Sequence, residues 1–100
     1  MRISVILCSY MHESYIEEAI LSVLNQETPA DQFIIVDDGS TDGSRAIIER
    51  FRDRADIIYK ANGGHASAVN LACSQVNGDV ICFLDSDDRF ASDKLSILKS

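Results

Sequence analysis

Three carboxylates fall within four residues at Asp85-Ser86-Asp87-Asp88, directly after the uncharged run Val80-Ile81-Cys82-Phe83-Leu84. Carboxylates this close repel one another, so at neutral pH such a cluster either raises a pKa or takes a compensating cation. The candidate ligands are all oxygens and no Cys/His cluster lies nearby, which suits Mg²⁺ or Mn²⁺ better than zinc. An ion of that kind keeps part of its water and completes its coordination with substrate phosphates. The same residue types also dominate turns and N-caps, so the cluster taken alone reads equally well as a polar turn. A second acidic group, Asp37, Asp38 and Asp42, follows another apolar run, Phe33-Ile34-Ile35-Val36. At either cluster a bare phosphate is repelled and a metal-bound one is not.

The elements that place these groups follow from the hydrophobic pattern. Val80 to Leu84, with β-branched and aromatic members, predicts a strand buried on both faces, as in the middle of a parallel sheet. Ile3 to Cys8 is a first strand and Phe33 to Val36 a second. Ile57-Ile58-Tyr59 forms a short third. Ile16, Ala19, Ile20, Val23 and Leu24 make one helical stripe, and Ser14-Tyr15-Ile16-Glu17 fits a capping box at its start. Asn25 to Gln32, containing the only proline, is the return loop. The run from Asp37 to Ser44 mixes turn glycines with several possible caps, and the helix after it carries Ile47, Ile48 and Phe51 on one side. A further helix runs from about His65 to Val76, presenting Val69, Cys73 and Val76, and Asn77-Gly78-Asp79 closes it. Ser92 is the expected cap of a last helix bearing Leu95 and Leu98.

Strands and helices thus alternate through all eight elements, which predicts an α/β fold: an open, mostly parallel sheet with helices on both faces. The expected strand order is 3-2-1-4. It sets the first and fourth strands side by side at the switch point and brings Tyr10, Asp38 and Asp85 to one crevice, where ligands of such sheets bind.

Acidic residues outnumber basic ones 16 to 9, for a net charge of −7, which argues against a nucleic-acid binder. Cys8, Cys73 and Cys82 are odd in number and lie in apolar patterns, so they read as reduced core residues. No apolar run approaches the ~20 residues that cross a bilayer. The start Met1-Arg2-Ile3-Ser4-Val5 passes straight into a strand pattern. The expected location is cytoplasmic, with any contact at the inner face of the membrane made through parts not in this chain.

Neither the dinucleotide fingerprint nor a P-loop is present. The first loop is instead polar and aromatic, suited to stacking a planar heterocycle on Tyr10 while an Asp accepts from ring N–H groups. With a metal and diphosphate at Asp85 and Asp87, the ligand takes the outline of a nucleoside diphosphate derivative.

Four ordered blocks then carry a resemblance. Ile3 to Tyr10 with Tyr15 to Gln26, Ile34 to Ser44, Asn62 to Asn70, and Phe83-Leu84-Asp85-Ser86-Asp87-Asp88 together resemble the amino-terminal half of family-2 glycosyltransferases. The resemblance implies a GT-A fold and inverting transfer of a sugar from a nucleotide-diphospho-sugar, most simply a UDP-sugar, to a saccharide or lipid-linked acceptor hydroxyl. Residues 1–100 would form the nucleotide-sugar-binding part, with the acceptor-binding half absent and the general base expected beyond Ser100.

Carried over by position, Cys8, Ser9 and Tyr10 line the nucleoside pocket and Asp38 hydrogen-bonds the base. Asp85 sits near the ribose and the metal, and Ser86 is among the nucleotide-sugar-binding residues. Asp87, with Asp85, holds the metal, Mn²⁺ or Mg²⁺. Asp37 supports its turn and Asp88 caps the next one. Gly63 and Gly64 let backbone approach the diphosphate at a helix N-terminus, or simply turn the chain. Asn70 either supports the nucleotide loop or is a buried polar residue bonded to backbone. His12 and His65 either touch phosphate or substrate or, as is commoner for loop histidines, are solvated, and neither is assigned a catalytic role.

Two positions depart from the family pattern. Met11 stands where many members have Asn, and Val69 where many have Arg, which removes a cation from the diphosphate region.

Rival readings meet specific objections. A nucleotidyltransferase needs a Gly-rich basic loop that Ser9 to Glu13 lacks. A receiver domain needs a phospho-acceptor Asp after the third strand, where Tyr59-Lys60-Ala61 stands. A non-catalytic sugar-nucleotide-binding or assembly domain that keeps the fold is the remaining alternative.

Overall fold

The computed structural model describes all residues, 1–100. Its elements are β1 (Ile3–Ser9), α1 (Ile16–Leu24), β2 (Gln32–Asp38), α2 (Ser44–Glu49), β3 (Asp56–Lys60), α3 (His65–Cys73), β4 (Val80–Asp85) and α4 (Lys94–Lys99). The four strands form one sheet in the order β3-β2-β1-β4, every pair parallel. The expected order therefore holds. The chain builds outward from β1 to β3, then crosses back to lay β4 on the other side of β1.

Register carries the acidic groups to one edge. Ser9 pairs with Asp37, Cys8 with Asp85, and Asp38 with Lys60. All seven residues of β1 are buried because helices cover both of its faces. Alternate side chains Ile3, Val5 and Leu7 pack with Ile35 and Leu84 against the α1 residues Ile16, Ala19, Ile20 and Val23. Ile6, Cys8, Ile34 and Val36 face the other way, onto Ala68 and Ala72 of α3. Each large aliphatic side chain fully buried in this way contributes about 1.5–3 kcal/mol.

Several local expectations are corrected. β4 is not buried on both faces. Cys82 and Leu84 join the α1 side, whereas Ile81 and Phe83 are exposed, Phe83 by 52%. The reason is positional: β4 is an edge strand, and α3 lies over β1 and β2 instead.

Ser14 does not cap α1, whose N-cap position is Tyr15 with no side-chain bond. The His12 carbonyl instead accepts from the Tyr15 and Ile16 N–H groups, closing a turn before the helix starts. Ser92 does not cap α4, which begins after Asp93; its carbonyl accepts from Glu27 N–H. Leu95 is fully buried, but Leu98 is partly exposed.

The third helix stops at Cys73, short of Val76, and its deepest residues are alanines. Asn77-Gly78-Asp79 therefore ends no helix. Gly78 is there for close approach, since a Cβ would lie 2.4 Å from Ser4 Oγ and 2.9 Å from Ser4 N. The Asp79 carboxylate accepts from Arg2 N–H at 2.9 Å. All three cysteines are free thiols. No helix is long and apolar enough to cross a membrane.

Candidate functional site

A concavity of about 370 Å³ opens at the carboxyl ends of β1, β2 and β4. The end of β1 and its loop supply Cys8, Ser9, Tyr10 and His12; β2 supplies Asp38. The loop into α3 and that helix supply Asn62, Gly64, His65 and Ala68, while Asp85, Ser86 and Asp87 close the remaining side. Eight sequence-predicted residues thus meet: Cys8, Ser9, Tyr10, Asp38, Gly64, Asp85, Ser86 and Asp87. Asn70 does not join them. It is exposed on α3, neither beside the concavity nor buried, because the helix turns its alanines inward at that level. His12 and His65, for which the sequence leaves solvent and substrate contact both open, line the site, with the His65 side chain exposed.

Hydrogen bonds stitch the first loop to the acidic one. Ser86 N–H donates to the Cys8 carbonyl at 3.0 Å. The Ser86 hydroxyl lies 2.7 Å from His12 Nδ1 and accepts a long, 3.5 Å bond from Tyr10 N–H. Ser86 is only 1% exposed, so this joint is fixed. Ser9 Oγ is buried without a hydrogen-bond partner. Burial, then the charges of Asp85, Cys73 and Asp38, push the Cys8 thiol up to about 11, so it sits in the floor as a neutral group.

The two β2 carboxylates have different tasks. Asp37 is fully buried and accepts from Ser40 N–H at 2.9 Å, Ser40 Oγ at 2.6 Å and Arg45 Nε at 2.8 Å. Arg45 also donates to the Lys60 carbonyl and lies over the Tyr59 ring. Asp37 therefore ties the β2 turn to α2. Asp38 anchors the third loop: Oδ1 accepts from Lys60 Nζ at 2.6 Å and Gly63 N–H at 3.0 Å, and Oδ2 from Gly64 N–H at 2.9 Å and Asn62 Nδ2 at 3.3 Å. The Lys60 bond leads the causes that hold its pKa below the usual carboxylate range. Gly39 is required here. Its φ is +80°, and a Cβ would meet Asn62 N at 2.5 Å.

The loop after β4 is held from behind. Gln26 Nε2 donates to the Ala91 and Ser22 carbonyls, and its Oε1 accepts from Leu95 N–H. Ser22 Oγ accepts from Phe90 N–H, and Arg89 pairs with Glu18. Asp88 closes a turn: its N–H donates to the Asp85 carbonyl and its carboxylate accepts from Arg89 N–H.

Sequence reasoning passed over Gln26 and Lys60 as positioning groups, because nothing in their spacing says which loops they reach. Asn62 and Ala68 were also unassigned. Their position beside Gly64 and one turn beyond it was the available clue.

No Lys or Arg lines the concavity. No three His, Cys, Asp or Glu side chains converge as a ready-made metal site. What Asp85 and Asp87 offer is a pair of exposed oxygen donors. That donor set fits a hard cation taking the rest of its coordination from water and phosphate, and does not fit zinc.

The sequence profile described as glycosyl transferase family 2 matches residues 4–99. The chain belongs to that family. It is 43% identical over 97 residues to the putative teichuronic acid biosynthesis glycosyltransferase TuaG of Bacillus subtilis, an alignment covering 93% of this chain and 38% of that protein. Among solved structures, Staphylococcus aureus TarS 1-349 in complex with UDP-GlcNAc superimposes with a TM-score of 0.87 at 32% identity, over 99% of this chain and 30% of that one. The mannosyltransferase PcManGT from Pyrobaculum calidifontis, in complex with GDP-Man and Mn²⁺, gives 0.81 at 27% identity, over 95% and 30%. This α/β sheet is thus part of a GT-A glycosyltransferase domain. It spans about a third of the length of the curated relatives it matches.

Proposed function

We propose that this chain is the donor-binding wall of an enzyme that transfers a sugar from a nucleotide-diphospho-sugar, most simply a UDP-sugar, to an acceptor hydroxyl with inversion. The observation that carries the reading is one concavity that gathers Tyr10, Asp38, Asp85 and Asp87 at the switch point between β1 and β4. Support comes from neighbours that hold UDP-GlcNAc or GDP-Man. Names of relatives that include teichuronic acid biosynthesis and poly(ribitol-phosphate) favour a polymeric, hydroxyl-rich acceptor.

Tyr10, 48% exposed at the rim, offers its ring to the base. Asp38 reaches the base with Oδ2, where a base N–H replaces the 3.3 Å Asn62 bond, the longest of its four. The Ser86 joint keeps the Tyr10 loop and the acidic loop at a fixed separation, so base and diphosphate are held together. Asp85 and Asp87 would hold Mn²⁺ or Mg²⁺, which when bound supplies Lewis-acid stabilisation of the departing diphosphate. Every carboxylate lining the concavity is then engaged with nucleotide or ion, so the base that takes the acceptor proton comes from outside these residues.

Calorimetric titration of UDP, GDP, CDP and dTDP with Mn²⁺, repeated with EDTA and with Asp87→Ala, tests this. Binding of one nucleotide that both controls abolish is expected. A folded chain that binds none of them contradicts it.

A further inference from the structure

The concavity holds three carboxylates, Asp38, Asp85 and Asp87, yet no lysine or arginine. The imidazoles of two histidines also line it. His12 comes from the β1–α1 loop, and His65 is the first residue of α3.

The two rings are held differently. His12 Nδ1 lies 2.7 Å from the buried Ser86 Oγ, which also accepts a long bond from Tyr10 N–H, so the ring is held by its Nδ1 side and Nε2 has no protein partner. His12 is thereby oriented by a buried residue. His65 makes no side-chain hydrogen bond. Its Nδ1 lies 4.0 Å from Asp85 Oδ1, too long for one, so its ring N–H is uncommitted.

We propose that His12 and His65 are donor-contact residues that bind the diphosphate of the nucleotide-sugar, each through a ring N–H. The assignment rests on the donor-site reading above and adds the protein groups that meet the phosphates. The physical need is plain: a dianionic group entering among carboxylates requires hydrogen-bond donors as well as an ion. These rings are the charged-capable donors the concavity has.

The experiment is titration of UDP, UMP and uridine into the chain with Mn²⁺, and of Mn²⁺ alone, for the unaltered chain, His65→Ala and His12→Asn. The asparagine keeps a group at the Nδ1 position for Ser86 and loses Nε2. GDP, GMP and guanosine replace the uridine series if the guanine nucleotide is the one bound. Each substitution should weaken the diphosphate about tenfold, the usual size for a hydrogen bond to a charged acceptor. The nucleoside and Mn²⁺ alone should stay within about twofold. An unchanged diphosphate affinity, or equal losses for diphosphate and nucleoside, overturns the assignment while leaving the donor site standing. A loss of affinity for Mn²⁺ alone in His65→Ala also overturns it, making that ring a metal ligand. Failure of the unaltered chain to bind any diphosphate overturns the donor-site reading itself, and the histidine assignment falls with it.

Discussion

Replacing Asp38 by Asn should cost far more than the loss of one surface charge. Its carboxylate accepts four bonds, two per oxygen, from Lys60, Gly63, Asn62 and Gly64. An amide keeps one acceptor oxygen and turns the other position into a donor. Whichever way it faces, two donors lose their acceptor, and the Lys60 ammonium, with its side chain 14% exposed, loses its counter-charge. A hydrogen bond to a charged group is worth roughly 1.5–3 kcal/mol, and breaking a buried ion pair costs about 3–5 kcal/mol. Lys60 retains the Ala61 carbonyl as an acceptor at 2.7 Å, so the low end applies, about 3 kcal/mol. In a domain of this size that lowers Tm by roughly 12–24 °C. Urea and thermal unfolding followed by circular dichroism measure both quantities. Lys60→Met alone should cost about 2 kcal/mol, and the double variant less than the sum by at least about 1 kcal/mol. A loss below about 1 kcal/mol for Asp38→Asn, or strict additivity, would refute the view that this carboxylate anchors the third loop.

Four other outcomes follow from the same contacts. Because the native pKa of Asp38 is depressed, its stabilisation is complete above the unfolded value near pH 4 and is lost as pH falls through the native value; urea midpoints should drop toward pH 3 more steeply in the unaltered chain than in Asp38→Asn. Met11 has φ +55°, a left-handed conformation that Asn tolerates better, so Met11→Asn should raise unfolding free energy by about 0.5–1 kcal/mol despite losing the contact of Met11 Sδ with Thr41. Gln26→Leu leaves the Leu95 N–H without a partner and the Ala91 carbonyl with only its Lys94 N–H bond, and should cost about 2 kcal/mol, with faster amide exchange across residues 86–95. Gly39→Ala combines positive φ with backbone overlap at Asn62 and should cost about 3 kcal/mol by urea unfolding.

Much of this architecture is legible in the chain itself, because alternating apolar runs and helical stripes specify a parallel sheet and its crossovers. Alternation does not dictate strand order, although the expected 3-2-1-4 and its crevice joining Tyr10, Asp38 and Asp85 agree with the sheet. What sequence could not supply is three-dimensional partnership. The apolar run of β4 looks doubly buried, yet hydrophobicity alone does not tell whether a helix covers each face, and Phe83 stands open. Ser14 and Ser92 are good caps by type, but carbonyl turns and tertiary bonds close those helix starts first. Asn70 belongs to a recognisable block, while the rotation of α3, set by Ala68 and Ala72, carries it away from the site. Gln26 and Lys60 act across 65 and 22 residues of separation, which no local pattern reveals. Whether His12 and His65 face solvent or substrate stays open in the sequence because a loop position does not disclose what it faces.

In the proposed reading the end of β4 holds the ion and diphosphate of a sugar nucleotide. Paramagnetic broadening of amide resonances by substoichiometric Mn²⁺, with UDP and with GDP, locates that ion directly. The account predicts broadening centred on residues 85–88 that extends across the concavity to Tyr10 and Gly64 and disappears in Asp87→Ala. Broadening centred elsewhere, for example on the acidic stretch Asp53 to Asp56, or unaltered by Asp87→Ala, would contradict it.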